Sequence, residues 1–387
     1  MCHDASGPHR HPERVAAPGT LIWDTNKVVL VIDHHVPEAD AASRRMVRAA
    51  RDWAREHALP HVYDSMGISH LVVPQHGHLQ PGMFCVGADS RSCTGGAFGA
   101  YMFGVEPAEL LAVLASGEIE LQVPPTTFMR WSGRLADGVS AKDMMLATIG
   151  RYGLNGTPGH AVEYGGEAVA ALPMAERMTL ANMSAELGAQ VGLVAPDEVT
   201  IEWLRRHGAA DAAASGWHSD EDAPGVRHAF DASTLAPQVS LPDSPAHVRS
   251  VDDLERTPVA VAYIGACTGA KLDDLRAAAR VLAGFHIAPG VQLFVAPASL
   301  KDAAAAQSEG ILRCLVDAGA TLLPSACGAC AGHGNLMPQG ANVISSSARN
   351  LESSLGSAGA RVFLASPYTV AASALRGVIA DAREVLA

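Results

Sequence analysis

Short apolar runs that end in a charge, a glycine or a proline alternate along this chain with stretches of helical period. Val28–Asp33 (VVLVID) is apolar throughout and closes on a charge, the pattern of a parallel strand buried on both faces. Ala39–Leu59 is helical in composition, and Pro60 stops it. Leu71–Pro74 and Met83–Val86 read as further short strands, the second running into the loop GADSRSCTGGAFGA. Helices are expected at Pro107–Ser116, Ala141–Arg151, Ala168–Gly192 and Glu198–His207, with strands at Glu118–Pro124 and Trp131–Leu135. Residues 208–255 lose this periodicity and read as an irregular linker. A second alternating unit follows: strand Val259–Ile264, helix Leu272–Leu282, strand Gln292–Ala296, helix Ala303–Ala318, strand Thr321–Leu323, then a Cys/Gly-rich loop. This alternation predicts an α/β fold with mainly parallel sheets. The breaks suggest three α/β domains: 1–125, 126–250 ending in the linker, and 251–387.

Composition narrows the class. At 387 residues the chain exceeds one compact core, and 48% hydrophobic against 18% charged residues is globular. A formal charge of −12, without a Lys/Arg-rich run, argues against binding a phosphate backbone. No apolar run reaches the ~18 residues of a membrane span. The start, MCHDASGPHRHPERV, lacks the apolar core of a signal peptide. With seven cysteines, an odd number, two of them in a C-x-x-C, a cytoplasmic protein using thiols for metal or redox work is expected, rather than a disulfide scaffold.

Ligands of open parallel sheets bind beyond the carboxyl ends of strands. Asp33-His34-His35, His70, Gly87–Gly96, Gly265–Thr268 and Cys327–His333 all occupy such positions, which suggests one cleft fed by several loops. Cys267 lies in YIGACTGA, and Cys327 and Cys330 in PSACGACAGHG. Three chemistries suit this trio. Zinc wants a fourth ligand that these loops do not offer. A redox dithiol would use the C-x-x-C alone. An iron–sulfur cubane on three cysteines leaves one iron open as a Lewis acid. Cys314 and Cys85 read as core, Cys93 as near the site, and Cys2 as part of a flexible end.

Each remaining candidate has an ordinary structural reading beside the chemical one. Asp33-His34 could cap a helix, as could Asp89-Ser90. His70 alone reads as a core histidine, Glu186 as a surface acid, and Arg349 as the i, i+3 partner of Glu352. His9 and His11 read as a solvated tail.

Taken together the motifs resemble the aconitase superfamily, in particular the large subunits of 3-isopropylmalate dehydratase and homoaconitase-type hydro-lyases. The carriers are DHHVP at 33–37, GISH at 67–70, HGHLQPG at 76–82 and VGADSRSCTGGAFGAYMFG at 86–104. VSAKDMML at 139–146, RMTLANMSAELGA at 177–189, YIGACTGAKLDDLRAA at 263–278, ACGACAGH at 326–333, SSSARNLE at 345–352 and LASPYTVAASALRG at 364–377 complete the series. The resemblance implies three domains around a [4Fe–4S] cleft, with Cys267, Cys327 and Cys330 as cluster ligands. It further implies dehydration and rehydration of a hydroxy di- or tricarboxylic acid. Asp33, His34, His70, Asp89 and Glu186 would handle water and protons, while His3, Ser90, Arg91, Asn182 and Arg349 would meet substrate. A serine base and another arginine are expected from a small swivelling domain, here a separate subunit in a heterodimer or heterotetramer.

Three departures stand out. Relatives read D-S-H where this chain has Asp89-Ser90-Arg91, so a histidine partner of Glu186 is replaced by a permanent cation. Arg91 would either pair with Glu186 or bind an extra anionic group of the substrate. The second arginine of S-N-R-N-F-x-G-R is Ser354 here. Cys2-His3-Asp4-Ala5-Ser6 matches the family's H-D-x-T motif at the very start, as if the usual first helix and strand were missing. These departures leave open a paralogue acting on homoaconitate, citramalate or a phosphorus-containing analogue, and a metal-binding remnant without activity.

Overall fold

A computed structural model describes residues 1–7, 22–209, 213, 217–327, 330, 332, 337–351, 355 and 359–387. His9, His11, His333, Glu352 and Ser354 lie outside them.

Four sheets carry the chain. Strands β1 (Cys2–His3), β2 (Val29–Ile32) and β3 (His61–Asp64) form a parallel sheet with β2 central, and β4 (Phe84–Gly87) pairs in parallel with β5 (Tyr101–Gly104). Next come β6 (Thr126–Ser132), β7 (Ala161–Gly165), β8 (Val191–Val194) and β9 (Val226–Asp231), parallel in the order β8-β7-β6-β9. The last sheet holds β10 (Gln238–Ser240), β11 (Val248–Ser250), β12 (Val261–Ile264), β13 (Gln292–Val295), β14 (Ala320–Leu322), β15 (Asn342–Ser345) and β16 (Arg361–Leu364). Its order is β11-β10-β16-β15-β12-β13-β14, with only β10 and β11 antiparallel to their neighbours. The fold is therefore α/β with mainly parallel sheets.

Local sequence explains most elements. β2 is four apolar residues buried throughout. Helix Ala41–Glu56 starts where Asp40 accepts from the Ser43 N–H at 2.7 Å, and it buries Val47, Ala50 and Trp53. Helix Leu272–Leu282 lies where its pattern predicts and buries Leu275, Ala278 and Leu282.

Several expectations need correction. Leu71–Pro74 is not a strand but part of helix Ser69–Gln75, buried along its whole length. Such a run carries no period that separates strand from helix, and its first turn is fixed from afar: the Ser69 N–H donates to Asp33 Oδ2 at 2.7 Å. Glu118–Pro124 has no regular structure, and the strand expected at Trp131 begins at Thr126. The single helix expected at 168–192 is broken by Pro173 into Glu167–Ala170 and Met174–Met183, then a 3₁₀ turn at Ser184–Leu187 and β8. Gly310, at φ 74°, divides the helix expected at 303–318 into Leu300–Ser308 and Ile311–Asp317. The linker is only partly irregular. Its VRHAFD segment is β9, an edge strand on which Arg227, Ala229 and Asp231 are exposed while Phe230 stacks on Trp131 at 4.3 Å. Cys2 is fully buried in β1, beside Leu30 of β2, and not on a flexible end.

Candidate active site

Loops following β1, β2, β4, β12, β14 and β15 converge, all at the carboxyl ends of their strands. Asp4, after β1, holds the loop after β2: its Oδ1 accepts from the Asp33 and His34 N–H groups at 2.9 and 3.0 Å, and its Oδ2 from His35 at 2.7 Å. Ser6 Oγ donates to the Ala88 carbonyl at 2.7 Å, joining β1's loop to β4's, and also contacts His3 Nε2. The Cys327 N–H donates to the Asp33 carbonyl at 2.9 Å, tying β14's loop to the same group. Ser346 joins the β15 and β12 loops, accepting from the Gly265 N–H at 3.0 Å and donating to the Gly265 carbonyl at 3.1 Å.

Two histidine–carboxylate pairs result. His34 Nδ1 lies 2.7 Å from Asp33 Oδ1, and His70 Nε2 lies 3.0 Å from Asp89 Oδ1. His3 stacks on His34 at 4.2 Å, with its Nε2 3.8 Å from Asp89 Oδ2, and so links the pairs. Burial disfavours charge on His34, but Asp33's charge and hydrogen bond outweigh it and hold the imidazole at about 9. Asp33 is held at about 2, because His34's charge and bond overcome its burial. Burial and the His34 charge push His3 down to about 4. Near neutral pH His34 is therefore protonated and the stacked His3 neutral, with its Nδ1 accepting from the Ala5 N–H at 3.2 Å. Asp89 is likewise held well below the carboxylate range by His70, against its burial. His3, Asp4, Asp33 and His34 offer ligand-type atoms within 4.8 Å of one another, a separation these internal contacts already explain.

A cation–anion chain runs along the facing wall. Arg91 is buried; its Nη2 pairs with Glu186 Oε1 and its Nη1 donates to Asn182 Oδ1 at 3.0 Å. Arg91 therefore takes the first of its two expected roles and is not open to a substrate anion. Arg349 Nε donates to the same Glu186 oxygen at 3.0 Å, and its Nη2 to Ser90 Oγ at 3.0 Å. With its side chain 46% exposed, Arg349 is the cation of this chain that remains accessible. Glu186 is no surface acid: Arg91 and then Arg349 hold its carboxyl low despite burial.

Asn182 connects this chain to the cysteines. Its Nδ2 donates to Thr94 Oγ1 at 2.8 Å and to Cys267 Sγ at 3.2 Å. Cys93 donates to the Asn182 carbonyl at 3.4 Å, and burial pushes its thiol up to about 12, so it stays protonated. Cys85 and Cys314 are only partly buried, on β4 and helix Ile311–Asp317. Cys327 and Cys330 share a hydrogen bond that raises the first thiol and, with Arg91, His34 and Lys142 nearby, lowers the second to about 7 despite its burial.

Sequence reading gave no role to two buried lysines. Lys142 donates to Thr268 Oγ1 at 3.3 Å and to the carbonyls of Ser346 and Ser347 at 2.9 and 2.5 Å, bracing the β12 and β15 loops. Burial and the Arg91 charge bring it down to about 7. Lys271 donates to the Cys267 carbonyl at 3.1 Å and pairs with Asp274 at 2.7 Å. A lysine inside an otherwise apolar helical stretch, as at Ser-Ala-Lys142-Asp-Met-Met-Leu, was the available signal.

Fold and site together define an α/β enzyme with an acid–base cleft at the strand ends. The aconitase family (aconitate hydratase) matches residues 8–258 and 252–377. The 3-isopropylmalate dehydratase large subunit 1 of Methanopyrus kandleri is 37% identical over 100% of this chain and 93% of its own length. A probable methanogen homoaconitase large subunit of Methanosarcina mazei is 38% identical, covering 94% of this chain and 93% of its own. Among solved structures, Thermococcus kodakaraensis aconitase X matches with a TM-score of 0.49 at 11% identity, covering 89% of this chain and 79% of its own. The chain belongs to the aconitase family, whose chemistry is that of hydro-lyases and for which an iron–sulfur cluster is expected. No helix among the described residues is long and apolar enough to cross a membrane.

Proposed function

We propose that this chain is the large, cluster-bearing subunit of a heteromeric hydro-lyase that removes and readds water on a hydroxy dicarboxylic acid, of the kind for which its 3-isopropylmalate dehydratase relatives are named. The observation that carries the reading is the convergence of Asp33–His34, His70–Asp89 and the open Arg349 on loops that also bring in Cys267, Cys327 and Cys330.

Those three cysteines would hold a [4Fe–4S] cluster. What supports this is the donor set: three cysteines on loops tied together through Asp33, Ser346 and Asn182, the last already donating to Cys267 Sγ at 3.2 Å. When bound, such a cluster supplies Lewis acidity at an iron without a protein ligand, which makes a hydroxyl a better leaving group. The remaining steps belong to side chains. Arg349 orients a substrate carboxylate by its guanidinium, itself fixed by Glu186 and Ser90. His34, protonated below about pH 9, delivers a proton at Nε2 while Asp33 holds Nδ1. Asp89 holds Nε2 of His70 and leaves Nδ1 to accept. The carbon-bound proton would be taken by a group of a small subunit, the partner suggested by the relatives' designation as large subunits.

The test is anaerobic reconstitution of the full chain with iron and sulfide, mixed with a cognate small subunit. Hydration of an unsaturated dicarboxylate, followed by loss of its ultraviolet absorbance, is expected. Zinc at one per chain, or a fully clustered complex inert to 3-isopropylmalate, homoaconitate and citramalate alike, would refute it.

A further inference from the structure

We propose that the Tyr263 hydroxyl donates a hydrogen bond to a sulfur of the cluster and thereby favours its reduced form. The proposal rests on the cluster reading above and assigns a role to a residue of β12 outside the acid–base set. Three observations support it. Tyr263 is fully buried, and its hydroxyl has no hydrogen-bond partner among the described residues. A buried, unsatisfied hydroxyl costs about 1–3 kcal/mol, so a missing acceptor is expected. The ring lies along its own strand toward the cysteine loop: a Cβ built on Gly265 would fall 2.1 Å from Tyr263 Cζ and 2.2 Å from its oxygen. Glycine at 265 is therefore what permits the hydroxyl to lie over the turn leading to Cys267. Finally, burial and then the nearby charges of Cys330, Cys327 and Cys267 push the hydroxyl well above its ordinary range, so it keeps its proton. The hydroxyl is thus a buried donor without an acceptor, beside the turn that carries Cys267.

A donor to cluster sulfur stabilises the more negatively charged, reduced state, because it places a positive dipole end against the added electron. Removing it by Tyr263→Phe keeps the ring and its packing. At a fixed solution potential the variant's reduced-to-oxidised ratio should fall about tenfold, which for a one-electron couple is about 59 mV toward more negative potential. The experiment is an EPR-monitored redox titration of the reconstituted full chain, wild type and Tyr263→Phe, with iron and sulfide counted in each. A companion measurement records the Fe–S stretching bands by resonance Raman in H₂O and D₂O. The bands should shift on exchange in wild type, keep most of that shift in Asn182→Ala, and lose part of it in Tyr263→Phe.

Equal iron content, equal potential and equal isotope shift in wild type and Tyr263→Phe would overturn the proposal and leave the cluster reading standing. Failure of the wild type to take up iron and sulfide would overturn both. Should Tyr263→Phe not fold, the wild type and Asn182→Ala decide: an isotope shift absent from wild type, or wholly abolished by Asn182→Ala, overturns it.

Discussion

Replacing Glu186 by Gln tests whether the Arg91–Glu186–Arg349 chain is a structural clamp. The Arg91 and Glu186 side chains are 10% and 8% exposed, while Arg349 is 46% exposed. Glu186→Gln keeps an amide oxygen as acceptor but removes the counter-charge of the buried Arg91, and an unpaired buried charge costs about 3–5 kcal/mol. Arg349 simply returns to water, so its lost contact adds less than about 1 kcal/mol. Arg91→Met should be milder, about 1–3 kcal/mol, because Glu186 keeps Arg349. The double variant should cost less than the sum of the singles, by about 2 kcal/mol. Urea unfolding of the full chain reads all three. The pH dependence has a definite sign. Glu186's carboxyl is lower in the folded chain than its ordinary value of 4.5, since Arg91 and Arg349 outweigh its burial. Its stabilisation is therefore complete above about pH 4.5 and disappears as pH falls through the lower folded value. The gap between wild type and Glu186→Gln should be constant from about pH 6 to 8 and close in acid. Additive singles, or Arg91→Met as the costlier change, would refute the reasoning.

Two further outcomes follow from the same geometry. In Asp33→Asn the largest charge opposing the burial of His34 is gone while Asp4 and Asp89 remain, so its imidazole should titrate well below about 9; histidine-selective NMR reads this directly. The stabilisation that pairing gives His34 is full below about pH 6.5 and is lost as pH rises through about 9, so the stability difference between wild type and variant should narrow in alkali. Gly67→Ala sets a side chain at φ 126°, 2.4 Å from the Ser299 Cα, beside the helix that carries His70. It should cost about 2–5 kcal/mol in thermal or urea unfolding, and an unchanged melting temperature would contradict the close packing of residues 67 and 299.

The fold was legible where pattern and length agree. β2 and helix Leu272–Leu282 lie where their patterns put them because an apolar strand closed by a charge and an amphipathic turn series are both local. β1, with two residues, and β3, the half-buried HVYD, carry no such pattern and exist because β2 between them supplies a hydrogen-bonding edge on each side. The apolar run of helix Ser69–Gln75 is buried all round, so no polar face marks a period and the pattern matches a strand equally well. β9 escaped notice for the opposite reason: an edge strand with a wet face needs few apolar residues.

For the site, the sequence by itself determined which residue types stand in the strand-end loops: histidines beside aspartates, three cysteines among small residues, and an arginine at 91. It also carried the family, because those motifs keep their order along the chain. Only the tertiary structure decided their partners. His70 meets Asp89, Asp33 caps Ser69, and Arg91 reaches Glu186 95 residues away. Neither did local pattern tell that Arg91 is closed off and Arg349 open, that Lys142 braces two loops, or that the Tyr263 hydroxyl lies buried and unpartnered over Gly265. The physical reason is the same throughout. Hydrogen-bond partners and burial are properties of the space between loops, and that space is shaped by strand order, which no stretch of sequence carries alone.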